Sequence, residues 1–73
     1  MAELNRLKVV LVEKKRTNKW LAAQLGKDPA TISKWCTNAS QPSLETLHAI
    51  ANCLEVDIRE LLLPSYPKKD DNQ

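Results

Sequence analysis

One glycine, one histidine, two cysteines and no phenylalanine among 73 residues set the first limits. Scarce glycine and few β-branched runs, against abundant Leu and Ala, argue for an all-α domain. Cys36 and Cys53 form no C-x-x-C pair, and one His cannot complete a metal cluster with them. They read as reduced, packed thiols of a cytosolic protein. There is no secretory signal and no apolar run able to span a bilayer, so no membrane role is expected and the cytoplasm is the expected compartment. Ser, Cys, His and Asp all occur, but nowhere at a spacing that sets a nucleophile beside a base. A chain this short also has little room for a closed substrate pocket. No catalytic residue, metal ligand or cofactor is therefore assigned, and an enzyme is the least expected class.

A single domain of this length has a core near the lower limit for independent folding. The net charge of +2 conceals an asymmetry. Residues 1–38 carry eight Lys and Arg against three acids, a balance of +5, whereas residues 39–73 carry three against six, a balance of −3. The first half is the expected face toward a polyanion.

Asn18 to Trp35, NKWLAAQLGKDPATISKW, organises the chain. Leu21, Ala22 and Leu25 recur at helical spacing, and Ile32 and Trp35 lie three apart on one face of a second helix. Gly26 supplies the left-handed residue at which the first helix stops. Asp28 offers a side-chain oxygen to the amides of the next helix, and Pro29 fits its first position. The small Ala22 lets the two helices approach. A helix, a sharp turn containing Gly and a second helix is the layout of a helix-turn-helix.

On these residues the chain resembles the Xre family of helix-turn-helix proteins, which includes the phage repressors and Cro. The family's apolar positions fall on Leu21, Leu25, Ile32 and Trp35, its Ala on Ala22 and its Gly on Gly26. The usually apolar residue after that Gly is Lys27, whose stem can still cover core. The likeness runs on through Gln41-Pro42-Ser43-Leu44-Glu45-Thr46-Leu47 and covers roughly residues 4 to 63. It implies a compact five-helix, repressor-like domain over residues 1–64, followed by a flexible polar tail at 65–73.

The flanking segments fit that frame. A first helix is expected over 3–15, with Leu4, Leu7, Val10 and Leu11 in one stripe and Val9 and Val12 widening the apolar face. Thr17 is a plausible N-cap for the second helix, and Trp20 is expected to be partly exposed, packing over Val12 or Arg16. Ser43 caps a fourth helix reaching Leu54, with Leu47, Ile50, Ala51 and Leu54 inward and His48 on the wetter side. Asp57-Ile58-Arg59-Glu60 has the form of a capping box for a fifth helix that returns Leu61 and Leu62 to the core.

The third helix, 29–37, is the expected recognition helix. With Ile32 and Trp35 inward, Pro29, Ala30, Ser33 and Lys34 face outward, where the resemblance places base reading. Lys34 can donate to guanine O6 and N7, Ser33 can donate or accept, and Pro29 or Ala30 can touch a thymine methyl. Thr17, Asn18, Thr31, Thr37, Asn38, Ser40 and Ser43 are the expected contacts to the DNA backbone.

Two departures from the family matter. After the recognition helix it commonly has Glu-Asn-Gly and a basic run, whereas this chain reads Cys36-Thr37-Asn38-Ala39-Ser40-Gln41. Asn38 replaces the Gly as the next best residue for a left-handed position. The family's ion pair between an Arg on the first helix and that Glu becomes Leu11 and Cys36, both apolar.

The implied function is a transcriptional regulator, a repressor by preference, that binds double-stranded DNA as a homodimer and sits with the nucleoid. Two alternatives stand beside it. One is an antitoxin that represses its own operon and holds a toxin protein on Val9, Val12, Trp20, Leu63 or Tyr66. The other is a protein-interaction module that has lost DNA binding.

Overall fold

The computed structural model describes residues 3–66. Four α-helices follow one another: α1 (Leu7–Glu13), α2 (Asn18–Leu25), α3 (Pro29–Cys36) and α4 (Leu44–Leu54). A single 3-10 turn, Ile58–Leu61, stands where a fifth helix was expected. The domain is all-helical, but with four α-helices among the described residues. Beyond Tyr66 the expected tail lies outside the described residues.

The core draws on every element: Leu7, Val10 and Leu11 from α1, Leu21 and Ala22 from α2, Ile32 and Trp35 from α3. Leu47, Ile50, Ala51 and Leu54 of α4 and Leu61 of the 3-10 turn complete it. Leu7, Leu21, Ile32, Ile50 and Leu61 are wholly shielded, and burying each such side chain contributes about 1.5–3 kcal/mol relative to exposure. Leu25, Trp20 and Cys36 pack against the same cluster, half-buried. Val9 and Val12 stay exposed on α1, and His48 is exposed on α4.

The first helix is shorter than its apolar pattern predicts. Residues before Leu7 are extended, because their backbone groups bond to the segment after the 3-10 turn. Asn5 bridges antiparallel to Leu62, Arg6 N–H donates to the Leu61 carbonyl at 2.9 Å, and Leu63 N–H donates to the Leu4 carbonyl at 3.0 Å. Leu4 and Leu62 consequently miss the core: Leu4 is 54% exposed and Leu62 39%. At its other end α1 stops at Lys15, which is left-handed at φ 58, while Arg16 N–H closes onto the Leu11 carbonyl at 2.9 Å.

The fifth element winds more tightly than a capping box would direct. Asp57 Oδ1 accepts from Arg59 N–H at 2.9 Å, two residues on, and also from Arg59 Nε at 3.1 Å. The carboxylate is thereby committed to Arg59, whose guanidinium holds the Asp57 carboxyl below its usual range. One turn later Leu62 departs to pair with Asn5, so the turn cannot lengthen into an α-helix.

Candidate nucleic-acid interface

α2 and α3 make the most extensive helix pairing in the domain. Gly26 ends α2 with φ 65, and both its own N–H and that of Lys27 (2.9 Å) reach the Ala22 carbonyl. Only glycine holds this φ without penalty. α3 begins with Pro29 at its first position, and Thr31 N–H closes the first turn onto the Asp28 carbonyl at 2.9 Å. Asp28 occupies the N-cap with extended backbone, but its side chain makes no capping bond, contrary to expectation. Lys27 is exposed.

α3 divides cleanly. Ile32 is fully buried and Trp35 7% exposed, whereas Pro29, Ala30, Ser33 and Lys34 are all exposed and Thr31 is half-buried between the two faces. The structure therefore brings the four expected base-reading residues together on one outward face. Lys34 lies in the last turn, where its charge also suits the helix dipole.

The expected backbone contacts fall into two groups. Thr17 caps α2, its Oγ1 accepting from Trp20 N–H at 3.0 Å, and its side chain is exposed with the hydroxyl proton still available. Asn18 is half-buried, and its Oδ1 accepts from the Cys36 thiol at 3.5 Å, joining the start of α2 to the end of α3. Thr37 and Ser40 are exposed beyond α3, with the Thr37 hydroxyl donating to the Lys34 carbonyl at 3.2 Å. Ser43 is exposed but doubly engaged, accepting from Thr46 N–H at 3.1 Å and donating to Thr46 Oγ1 at 2.9 Å.

Asn38 is the correction. It has the expected left-handed backbone, φ 63, yet it is only 7% exposed and its side chain points into the domain. Its Oδ1 accepts from Leu4 N–H (2.8 Å), Asn5 N–H (3.0 Å) and Gln41 Nε2 (2.9 Å), while Nδ2 donates to the Asn5 carbonyl (3.1 Å). One Nδ2 proton remains, but the side chain that carries it is buried and turned toward Asn5, away from any phosphate. Asn5 itself, absent from the sequence-based site, is buried in the same network and reaches the Trp35 carbonyl at 3.0 Å. Neither the helical pattern nor composition singles it out, since its partners in this network lie 30 to 36 residues away.

Most of the positive charge in the first half of the chain is exposed. Lys14, Lys15, Arg16, Lys19, Lys27 and Lys34 are all exposed. The Arg16 guanidinium stacks over the Trp20 ring, 4.4 Å from its centroid, as one of the two expected packings for that indole. Burial pushes the Cys36 thiol above its usual range, with Lys8 opposing by a smaller amount, so the thiol remains a donor at neutral pH. Among the described residues no group of three or more His, Cys, Asp or Glu could hold a metal ion, and no helix is long and apolar enough to cross a membrane.

A family model for helix-turn-helix domains, HTH_3, matches residues 7–61, spanning α1 through the 3-10 turn. The chain belongs to the Xre-type helix-turn-helix family. Among solved structures it is similar to one described as a candidate DNA-binding protein from Bacteroides fragilis. That chain is 60% identical, with a TM-score of 0.81, over 82% of this chain and 97% of its own. A search of curated proteins gives no significant match. Membership of the family accounts for the tight α2–turn–α3 unit and for the split of α3 into a buried and an open face.

Proposed function

We propose that this Xre-type domain binds double-stranded DNA as a transcriptional regulator, placing α3 in the major groove. The observation that carries the reading is the outer face of α3, where Pro29, Ala30, Ser33 and Lys34 are all exposed on a helix braced from behind by Ile32 and Trp35. Lys34 and Ser33 supply donors that suit guanine edges, and Ala30 and Pro29 supply small apolar contacts for a thymine methyl. Thr17, Asn18, Thr31, Thr37, Ser40 and the amides at the start of α4 hold the phosphates on either side, and Asn38 leaves that set. The description of the 60%-identical Bacteroides fragilis protein as a candidate DNA-binding protein supports the same reading.

One domain of this size reads only a few base pairs. The functional unit is therefore a two-fold pair on half-sites about 34 Å apart, one helical turn, and occupation of an operator makes the protein a repressor. Selection of bound sequences from a random duplex pool tests this. A palindromic consensus with salt-dependent binding supports it; no salt-dependent shift with any duplex defeats it and leaves an interaction module.

One observation favours a second reading, the antitoxin. Val9 is 46% exposed, Val12 68% and Leu44 67%, which leaves apolar surface for a protein partner. Co-purification of a toxin encoded by a neighbouring reading frame would support it.

A further inference from the structure

The α2–α3 pairing fixes one side of the recognition helix. Its C-terminal end is held differently, by a polar bracket from the N-terminal segment. Asn5, 3% exposed, is the centre of that bracket. Backbone donors determine which way its carboxamide faces. Oδ1 accepts from Leu7 N–H at 3.0 Å, so Nδ2 is turned the other way and donates to the Trp35 carbonyl at 3.0 Å and to Gln41 Oε1 at 2.7 Å. Trp35 lies in the last turn of α3, where carbonyls lack partners within the helix. Its oxygen also accepts from Asn38 N–H at 3.1 Å. Asn5 and the loop thus grip the same carbonyl from two directions.

We propose that Asn5 is a positioning residue for base reading: it sets the C-terminal end of α3, and hence the approach of Ser33 and Lys34 to the base edges. The inference rests on the DNA-binding reading above. A single side chain bonds the start of α1, the end of α3 and the loop that follows it. Without it, the last turn of α3 loses its direct bond to the start of α1. The thiol bond to Asn18 and the Asn38 bonds to the Leu4 and Asn5 backbone remain. The rest is apolar contact, which resists separation but not small rotations because hydrophobic burial is not directional. A base contact needs its donor within a few tenths of an ångström and well aligned. Attraction to phosphate tolerates larger displacements, since it is long-ranged and sequence-independent. Loosening the bracket therefore blunts discrimination while leaving binding to arbitrary DNA in place. A purely structural role would instead lower the folded fraction and scale both kinds of binding alike.

The test compares two duplexes, the one preferred in the random-pool selection and one of random sequence and equal length. The proteins are the full chain, Asn5→Ser and Gln41→Ala, with folded fraction followed by circular dichroism. Serine can still accept from Leu7 N–H but cannot span to Trp35 or Gln41. Gln41 is exposed, so its truncation removes one partner of Asn5, and one of the three donors to Asn38 Oδ1, with little risk to folding. For Asn5→Ser the specificity ratio is expected to fall about tenfold, the worth of one well-made base contact. For Gln41→Ala the expected fall is about threefold, the share of its one neutral hydrogen bond to Asn5, since Asn38 Oδ1 keeps its two backbone donors. Affinity for the random duplex and the salt slope should stay unchanged. Preserved ratios in both variants overturn the inference; if Asn5→Ser does not fold, Gln41→Ala decides alone. A parent chain without preference for any duplex overturns the DNA-binding reading and this inference together, whereas preserved ratios beside a selective parent overturn only this one.

Discussion

Replacing Asn38 by glycine sets two physical effects against each other, and the structure says which prevails. The backbone at this position is left-handed, φ 63. A generic L-residue is strained there by roughly 1–2 kcal/mol, Asn by less, so glycine relieves well under 1 kcal/mol while adding freedom to the unfolded chain. Against that stands the loss of four hydrogen bonds, to Leu4 N–H, Asn5 N–H, the Asn5 carbonyl and Gln41 Nε2. Leu4 and Gln41 are exposed, and water can replace their share. Asn5 is buried, and its N–H and carbonyl each cost about 1–3 kcal/mol when left unpaired. The expected net loss is about 2–4 kcal/mol, the lower end holding if a water enters the space.

For a domain of this length total stability is about 4–11 kcal/mol, so the loss is a large fraction of it. Asn38→Gly should lower Tm by about 10–25 °C. Urea titration followed by the fluorescence of the buried Trp35 measures it directly. The control is Glu55→Gly. Glu55 ends α4 in the same left-handed conformation, φ 58, but is exposed and free of such bonds. There glycine should be neutral or stabilise by up to about 1 kcal/mol. If Asn38→Gly proves as stable as the parent, the side-chain network contributes little and the left-handed backbone is the whole reason for the residue.

Lys34→Ala should cost about 1–3 kcal/mol at the preferred site and relax discrimination at one base pair; equal losses on specific and random duplexes would remove Lys34 from the base-reading set. Lys14→Ala or Lys15→Ala should weaken binding to all sequences alike and flatten the salt dependence of the binding constant, read by titration across a salt series. Gly26→Ala should destabilise by about 1 kcal/mol through backbone strain alone, because a Cβ there meets nothing within 4 Å; a larger loss in a denaturation experiment would point to a clash instead. Cys36 should react slowly with a thiol reagent in the native protein and fast once unfolded, since burial keeps its thiol protonated and half-covered; native labelling at the unfolded rate would refute that.

What could be read from the sequence is what is decided locally. Gly26, Thr17 and Ser43 mark helix ends because the residue that stops or caps a helix lies within four positions of the groups it serves. The spacing of Leu21, Ile32, Trp35, Leu47 and Ile50 declares the buried faces for the same reason, and by subtraction the open face of α3. The start of α1 was not legible. Leu4 continues the helical stripe of Leu7 and Leu11, yet the backbone there pairs with Leu62 and Leu63, nearly the whole chain away. No periodicity in residues 3–15 carries that information. The Asp57-to-Glu60 pattern marked the N-cap, since Asp57 accepts from Arg59 N–H, but not the kind of helix: the carboxylate is shared with the Arg59 side chain and the element winds as a 3-10 turn.

The polar part of the candidate site shows why residue type alone could not sort binding residues from structural ones. Thr17, Asn38 and Ser43 look alike in the sequence because each has an oxygen or amide beside a helix end, and both a cap and a phosphate contact use such groups. Counting donors and acceptors separates them. Thr17 accepts one bond and keeps its proton, so it can serve α2 and a phosphate together. Ser43 spends both its acceptor and its proton on Thr46, so a phosphate at α4 must be met by backbone amides or must displace the bond to Thr46. Asn38 is buried, and its oxygen is filled by Leu4 N–H, Asn5 N–H and Gln41 Nε2, so it serves the domain and not a phosphate. The loop from Ala39 to Gln41 carries no charge, and it is held from within, Asn5 Nδ2 donating to Gln41 Oε1 at 2.7 Å and Gln41 Nε2 to Asn38 Oδ1 at 2.9 Å.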